Sequence, residues 1–174
     1  MMWPTWRWKS RDERPWLLLD IDGVLNPQRG FTGPRRERYT PLGSLVIRED
    51  LVPVLHQAHQ ATRLAICSSW GVDANRYLTP LLDLPALPVI EMAPGSDAMI
   101  AKKVRGVAAW SKTKAARAGG VWIDDEVESG ATFGPIGTHR TYGNVGLLPD
   151  VLAAILRDLA TRPVATSRAH GASA

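Results

Sequence analysis

The chain has 174 residues, which is enough for one domain with a buried core and short for two. Apolar residues make up 45% of the chain and charged residues 22%, a balance that excludes a wholly disordered protein. The net charge of +4 suits an anionic substrate or partner, but it is too small to require nucleic acid.

The two ends of the chain differ in composition from its middle. Residues 1–15 are rich in Trp, Arg and Pro without periodicity, and they predict an N-terminal arm outside the core. Trp3, Trp6 and Trp8 either lie against the domain surface or stack on a base or a partner. No apolar run is long enough for a signal peptide or a membrane span, so we expect a cytoplasmic location. Residues 163–174 predict a flexible tail.

The first half of the domain begins with a short apolar segment, residues 16–22, which Gly23 closes. Such a segment predicts a strand that is buried on both faces, as in a parallel sheet. Residues 26–47 begin with many Pro and Gly residues, and they predict a flap or a small hairpin. The apolar spacing that follows predicts a helix over 48–62 and a second strand over 63–67.

Helices and strands alternate through the rest of the chain. The predicted elements are, in order, a helix over 73–82, a strand over 88–92, a helix over 102–118, a strand over 121–125, a strand over 139–142 and a helix over 149–161. This alternation predicts a Rossmann-like three-layer αβα sandwich with a central parallel sheet, in one domain over residues 16–162.

Polar side chains close three of the predicted strands. Asp20 and Asp22 end the first strand, Ser68 follows the second, and Asp124 and Asp125 end the fourth. Ligands of open α/β sheets bind outside the carboxyl ends of the parallel strands, so we expect these side chains to meet there.

Four acidic side chains near one point predict a bound cation. Carboxylates that lie close together repel each other, and burying them is costly unless a positive charge compensates. The chain has one cysteine and four histidines, so it has few side chains of the kind that bind soft metal ions. An all-oxygen set of ligands favours Mg²⁺. The single cysteine, Cys67, is interpreted as a small buried residue of the core.

The sequence DIDGVL at residues 20–25 resembles the first motif of the haloacid dehalogenase (HAD) superfamily of phosphatases. Ser68 matches the second motif, Lys103 the third, and the pair Asp124 and Asp125 the fourth, all in the expected order and elements. The resemblance spans residues 16 to about 160. The chain looks like the small capless bacterial members, and it is similar to the HAD module of RNA-repair proteins.

The resemblance implies a role for each motif residue. Asp20 would attack phosphorus and form an aspartyl-phosphate, while Asp22 would act as general acid and base. Ser68 and Lys103 would hold the phosphoryl oxygens. The metal set would comprise Asp20, Asp22 through its backbone carbonyl, and the fourth-motif pair. The sequence leaves open which residue of that pair ligates directly.

Two neighbours remain as alternatives, Lys102 for the third-motif lysine and Ser69 for the second-motif serine. The segments between the motifs are too short for a folded cap, so we expect an open site that admits bulky substrates. The candidate substrate-binding residues are Gly23, Ser69, Trp70, Arg35, Arg36, Arg38 and Arg76. The basic flap suits phosphate and base contacts, and it is equally compatible with a solvated loop.

The predicted function is a Mg²⁺-dependent phosphomonoesterase whose partner is a phosphorylated substrate, with nucleotide or polynucleotide phosphate ends as the leading class. A phosphatase of small metabolites or phosphoproteins, and a non-catalytic HAD-like binding module, are the alternatives. The intact pair of Asp20 and Asp22 favours an enzyme. No oligomeric state is predicted.

Overall fold

The computed structural model describes residue 10 and residues 13–29 and 31–162. Trp3, Trp6, Trp8 and the predicted tail lie outside the described residues. The end of the predicted arm lies against the domain, because Arg14 Nη1 donates to the Gln60 carbonyl at 2.8 Å. The carbonyl of Pro15 accepts the backbone N–H of Arg63 at 2.9 Å.

The described elements are, in chain order, β1 (Trp16–Leu19), β2 (Arg35–Thr40), β3 (Gly43–Arg48), α1 (Val52–Ala61), β4 (Arg63–Ile66), α2 (Asp73–Leu81), α3 (Met99–Trp110), β5 (Gly120–Asp124), β6 (Thr132–Phe133), β7 (Ile136–Arg140) and α4 (Pro149–Thr161). A five-stranded sheet has the order β4-β1-β5-β7-β6, and β2 and β3 form a separate hairpin. All neighbours in the large sheet are parallel except β6 and β7. The predicted αβα architecture without a large cap is confirmed.

Strand β1 is buried at every position because helices cover both faces of the sheet. Alternate side chains of a strand point to opposite faces. Leu17 and Leu19 belong to a core that includes side chains of α1, α2 and α4. Leu18 belongs to a second core, which includes Val107 of α3. A leucine that is fully buried in this way contributes about 1.5–3 kcal/mol to folding.

The predicted bounds of the third helix, 102–118, are wrong at both ends. Helix α3 begins at Met99, and after Trp110 the chain forms a separate 3₁₀ turn over Lys114–Ala118. The hydroxyl of Ser111 donates to the carbonyl of Ala108 at 2.9 Å. Such local side-chain bonds compete with the helical ladder, and they help to end the helix at this point.

The predicted strand over 88–92 is reduced to one bridge, between Val89 and Ile66 of β4. Ile66 donates its N–H to Pro88 O and accepts the N–H of Ile90, both at 2.8 Å. Pro88 has no N–H to extend the ladder, and proline in a sheet is confined to its edges. The segment therefore follows the edge of β4 without forming a strand.

Residues 26–47, predicted as a flap or a small hairpin, contain most of the hairpin of β2 and β3, which begins at Arg35 and ends at Arg48. The predicted fifth strand begins earlier than expected, at Ile136, and it ends at Arg140. The short strand β6 pairs with it in antiparallel direction and was not predicted. Among the described residues, no helix is long and apolar enough to cross a membrane.

Candidate active site

The register of the sheet brings the three polar strand ends to one edge. Leu19 of β1 lies opposite Ile66 of β4 on one side and opposite Ile123 of β5 on the other. The next residue, Asp20, donates its N–H to the Ile123 carbonyl at 3.0 Å. Ser68, two residues beyond Ile66, and the acidic end of β5 therefore lie on either side of Asp20.

Three carboxylates form a cluster at this edge. One oxygen each from Asp20, Asp124 and Asp125 lies within 4.8 Å of the other two. Asp20 is 3% exposed and Asp124 is fully buried, whereas Asp125 is half-buried. The backbone N–H of Ile21 donates to Asp20 Oδ1 at 2.8 Å. The cluster thus brings together residues of the first and the fourth motif, which lie at the carboxyl ends of β1 and β5 and are far apart in the chain.

Lys103 reaches the cluster from the second turn of α3. Its side chain is 4% exposed, and its ammonium pairs with Asp20 Oδ2 and, at 3.0 Å, with Asp124 Oδ2. The structure thus places Lys103, the lysine preferred from the sequence, against the first-motif aspartate. One ammonium against three carboxylates leaves a formal charge of −2 in a buried site.

The pKa values of the cluster reflect this excess of negative charge. Burial raises the pKa of Asp20 to about 7, with the charge of Asp124 adding to the effect and Lys103 opposing it. Burial also raises the pKa of Asp125, and Asp124 contributes. Burial by itself would lower the pKa of Lys103, but the charges of Asp20 and Asp124 outweigh it and raise that pKa. Lys103 therefore stays charged at neutral pH.

These residues fit a divalent cation. Carboxylate oxygens are the ligands of hard cations, and a charge of 2+ would balance the formal charge that Lys103 leaves uncompensated. Asp124 Oδ1 also accepts the backbone N–H of Glu126 at 2.9 Å, which fixes the turn after β5. The carboxylates that would hold a cation are Asp20, Asp124 and Asp125.

Asp22 lies apart from this cluster, because β1 ends at Leu19 and the chain turns. Its Oδ2 accepts the indole Nε1–H of Trp70 at 2.8 Å, and its Oδ1 accepts the amide of Asn26 at 2.9 Å. Two neutral donors therefore bind the Asp22 carboxylate. It is not part of the cluster formed by the other three carboxylates. The metal role expected of the Asp22 carbonyl remains a prediction.

Asn26 connects Asp22 to the hairpin. Besides its bond to Asp22, its amide donates to Ser44 O at 3.1 Å, and its Oδ1 accepts the N–H of Val46 at 2.9 Å. Sequence reasoning missed this residue. The available signal was an amide side chain in the loop directly after the first motif, where polar groups collect at the edge of the sheet.

The serines after β4 differ in environment. Ser68 is buried, and Ser69 is exposed. The backbone N–H of Trp70 lies 3.5 Å from Ser68 Oγ, so the loop folds back over the hydroxyl. Trp70, expected to contact substrate, is buried and turns its indole N–H towards Asp22.

Two glycines make the space that Asp125 occupies. A Cβ on Gly23 or on Gly143 would overlap the Asp125 carboxylate, and Gly23 also has a positive φ of 74°. Gln28, a further residue that sequence reasoning missed, donates to Asp125 Oδ2 at 3.3 Å. Gly23 was predicted as a substrate contact, and the structure gives it a steric role beside the cluster.

Two of the predicted flap arginines pair with acidic neighbours. Arg36 bonds to Glu49 at 3.0 Å and to Asp83 at 2.6 Å. Arg35 pairs with Glu37. Their guanidinium groups are committed to these partners, and the structure does not bring them to the carboxylate cluster.

The other two predicted arginines both lie close to one aromatic ring, that of Tyr77. The guanidinium carbons of Arg38 and Arg76 lie 5.4 and 5.3 Å from the ring centroid of Tyr77. Arg38 also donates to the carbonyl of Tyr77 at 3.4 Å. These contacts join the hairpin to α2, and neither side chain contacts the cluster.

A mostly parallel sheet in which Asp20 follows β1, pairs with the buried Lys103 and is flanked by Asp124 and Asp125 defines a HAD-type α/β domain. The family model of the HAD domain in Swiss Army Knife RNA repair proteins matches residues 16–147. The match covers most of the chain, and the chain belongs to this family. Membership indicates a hydrolase of the phosphatase type that uses a divalent cation. No curated protein matches the chain.

Proposed function

We propose that the protein is a Mg²⁺-dependent phosphomonoesterase that acts on phosphate ends of nucleic acid through an aspartyl-phosphate. The observation that carries the proposal is the buried contact of Lys103 with Asp20 beside Asp124 and Asp125. A carboxylate placed between an ammonium and a cation site can approach a phosphate dianion, because the positive charges offset the repulsion.

In the first step, a carboxylate oxygen of Asp20 forms a bond to phosphorus. The bond between phosphorus and the leaving oxygen breaks, and protonated Asp22 gives its proton to that oxygen. Two neutral donors, Trp70 and Asn26, hold the Asp22 side chain, so it remains separate from the nucleophile. General acid catalysis of this kind contributes about 10²–10⁴-fold.

In the second step, Asp22 is a carboxylate and removes a proton from water. The water oxygen attacks phosphorus, the bond from phosphorus to Asp20 breaks, and inorganic phosphate leaves. Asp20 is then again a free carboxylate and Asp22 is again protonated. Each step transfers one phosphoryl group and one proton, so the cycle needs no further reactant.

Lys103 and Ser68 would hold the phosphoryl oxygens, by an ammonium and a hydroxyl. The contact of Lys103 with Asp20 and the burial of Ser68 support these roles. Asp20, Asp124, Asp125 and the carbonyl of Asp22 would hold Mg²⁺. Bound Mg²⁺ would supply positive charge against the phosphoryl oxygens. The family's description, from RNA-repair proteins, supports a nucleic-acid end as the substrate, as do the absence of a large cap and the charge of +4.

The test is phosphate release in Mg²⁺ and in EDTA from oligonucleotides with a 3′- or a 5′-phosphate, a mononucleotide, glycerol phosphate and a phosphopeptide. We expect release that needs Mg²⁺, favours an oligonucleotide and is lost in Asp20→Asn. Asp158→Asn, which changes an exposed aspartate of α4, is the matched control. Release from no substrate by the folded protein would contradict the proposal and favour a binding module.

A further inference from the structure

A groove of about 510 Å³ opens beside the carboxylate cluster on the side of β7. Its volume is in the range of small-molecule sites in proteins. Asp125 belongs both to the groove and to the cluster, so a group seated in the groove lies next to the proposed reaction centre. The lining residues are Asp125, Ser129, Arg140, Thr141, Tyr142, Gly143 and Asn144.

The wall of this groove is fixed relative to the cluster. Thr141 donates its N–H to Asp124 O at 3.1 Å and its hydroxyl to Gly23 O at 3.0 Å. Arg140 Nε donates to Asp125 O at 3.0 Å. These bonds tie the segment after β7 to the first-motif and fourth-motif loops, so its side chains have a defined position beside the site.

Tyr142 presents an uncovered aromatic ring at this wall. It is 80% exposed, and its backbone carbonyl accepts the N–H groups of Val145 and Gly146, each at 2.8 Å. The backbone is thus held in a tight turn while the ring is in solvent. An exposed ring on a fixed backbone, next to an exposed arginine, is the arrangement that stacks on nucleobases and contacts their phosphates.

We propose that this groove binds the nucleoside that carries the scissile phosphate, with its base stacked on Tyr142 and its sugar and adjoining phosphate in reach of Arg140 and Asn144. This inference rests on the proposed function and names the part of the site that selects nucleic acid. The groove therefore takes the substrate-binding role that the sequence analysis gave to the hairpin arginines. Their guanidinium groups pair with acidic residues or lie against Tyr77.

The groove on the hairpin side is a weaker candidate for the base. It measures about 270 Å³ and contains Phe31. The Phe31 ring already has the guanidinium of Arg48 over it, 4.2 Å from the centroid, and it packs closely against Gly33. A ring that is covered by the protein itself has less face to offer a base.

The test measures binding of an oligonucleotide with a 3′-phosphate, in Mg²⁺, to the Asp20→Asn protein by fluorescence anisotropy. A second oligonucleotide has an abasic terminal nucleotide, so it keeps every phosphate and lacks only the base. We expect the abasic form to bind about tenfold more weakly, because one stacked base contributes on that scale. Adding Tyr142→Ala should weaken the intact oligonucleotide about tenfold and abolish this difference.

Tyr39→Ala is the matched control, since Tyr39 is 83% exposed and lines neither groove beside the cluster. It should retain the tenfold difference. An unchanged difference in Tyr142→Ala, or no measurable binding of the intact oligonucleotide, would overturn the inference. The same measurement with a mononucleotide shows whether the terminal nucleoside is sufficient for binding. Binding that depends on Tyr142 without phosphate release by the unmutated protein would refute the proposed function and leave the groove as a nucleoside-binding site of a non-catalytic domain.

Discussion

The indole Nε1 of Trp70 lies 2.8 Å from Asp22 Oδ2 and donates a hydrogen bond to it. The two residues are far apart in the chain, and β1 and β4 bring them together as neighbours in the sheet. The second aspartate of the first motif is therefore hydrogen-bonded by a side chain of the loop that carries Ser68.

Trp70→Phe should lower kcat about tenfold, less than the loss of the acid itself, for which about 10²–10⁴-fold is expected. The ring keeps its packing and loses only the donor to Asp22. The measurement is kcat for the preferred phosphorylated oligonucleotide. Trp110→Phe is the control, since Trp110 packs against Trp16 at the other face of the sheet. An unchanged kcat in Trp70→Phe would show that the bond does not position the acid.

Asn26→Ala should destabilise the fold by about 1–3 kcal/mol, because it leaves the Val46 N–H and the Ser44 carbonyl without their partner. The measurement is the free energy of unfolding in urea. Gln60→Ala, an exposed change in α1, should stay within about 0.5 kcal/mol of the unmutated protein. Equal stability of the two variants would contradict the role of Asn26 as the junction with the hairpin.

Lys103→Met should abolish most activity and destabilise the protein by about 3–5 kcal/mol, because it leaves buried carboxylates without their cation. Lys102→Met is a matched control on the adjacent residue of α3. Urea unfolding and phosphate release measure the two effects. If both lysine variants lose stability equally, the buried ion pairs are not the cause.

Mg²⁺ should raise the Tm of the protein relative to EDTA, by the linkage expected of a ligand that binds only the folded state. Asp125→Asn should reduce this shift at little cost to folding, because Asp125 is half-buried and lies outside the ion pairs of Lys103. Asp97→Asn changes an aspartate paired with Arg105 and should keep the full shift. A shift that is the same in all three proteins would place the cation elsewhere.

The Cys67 thiol should resist alkylation at pH 8 until the protein unfolds. Burial raises its pKa to about 12 from an ordinary 9.0, with the charge of Asp20 contributing. The unfolded chain therefore loses this proton first as pH rises, so the contribution to stability declines from pH 9.0 to about 12. Thiol titration with and without urea tests the first point. Rapid reaction of the folded protein would contradict it.

The sequence predicted those parts of the site that follow from strand ends and motif order. Asp20, Ser68 and Asp124 lie where parallel strands place their carboxyl ends, and Lys103 lies on the face of α3 that covers them. The position of the Asp22 side chain was not predictable in this way. It depends on where β1 stops and on a bond from a residue of another loop.

The arginines show a second limit of prediction. A basic hairpin is the same sequence pattern whether its charges are solvated, paired or bound to phosphate. Arg36 pairs with Asp83, whose position depends on the end of α2 packing beside the hairpin. Only the tertiary structure shows that the guanidinium of Arg36 is already paired with a carboxylate.

Tyr142 shows the opposite case. The sequence predicted it in a strand, and the structure places it in a turn after β7.

Asn26 has a consequence for how this fold can diverge. One amide bonds to two positions of β3 and to the side chain of Asp22. Ser44 pairs with Tyr39 beside the turn of the hairpin, and Val46 pairs with Glu37 in the middle of the strands. Replacement of position 26 by an aliphatic side chain would leave three polar groups short of a partner at once. Insertions at the turn of the hairpin are therefore expected to be limited to those that keep Ser44 and Val46 beside position 26.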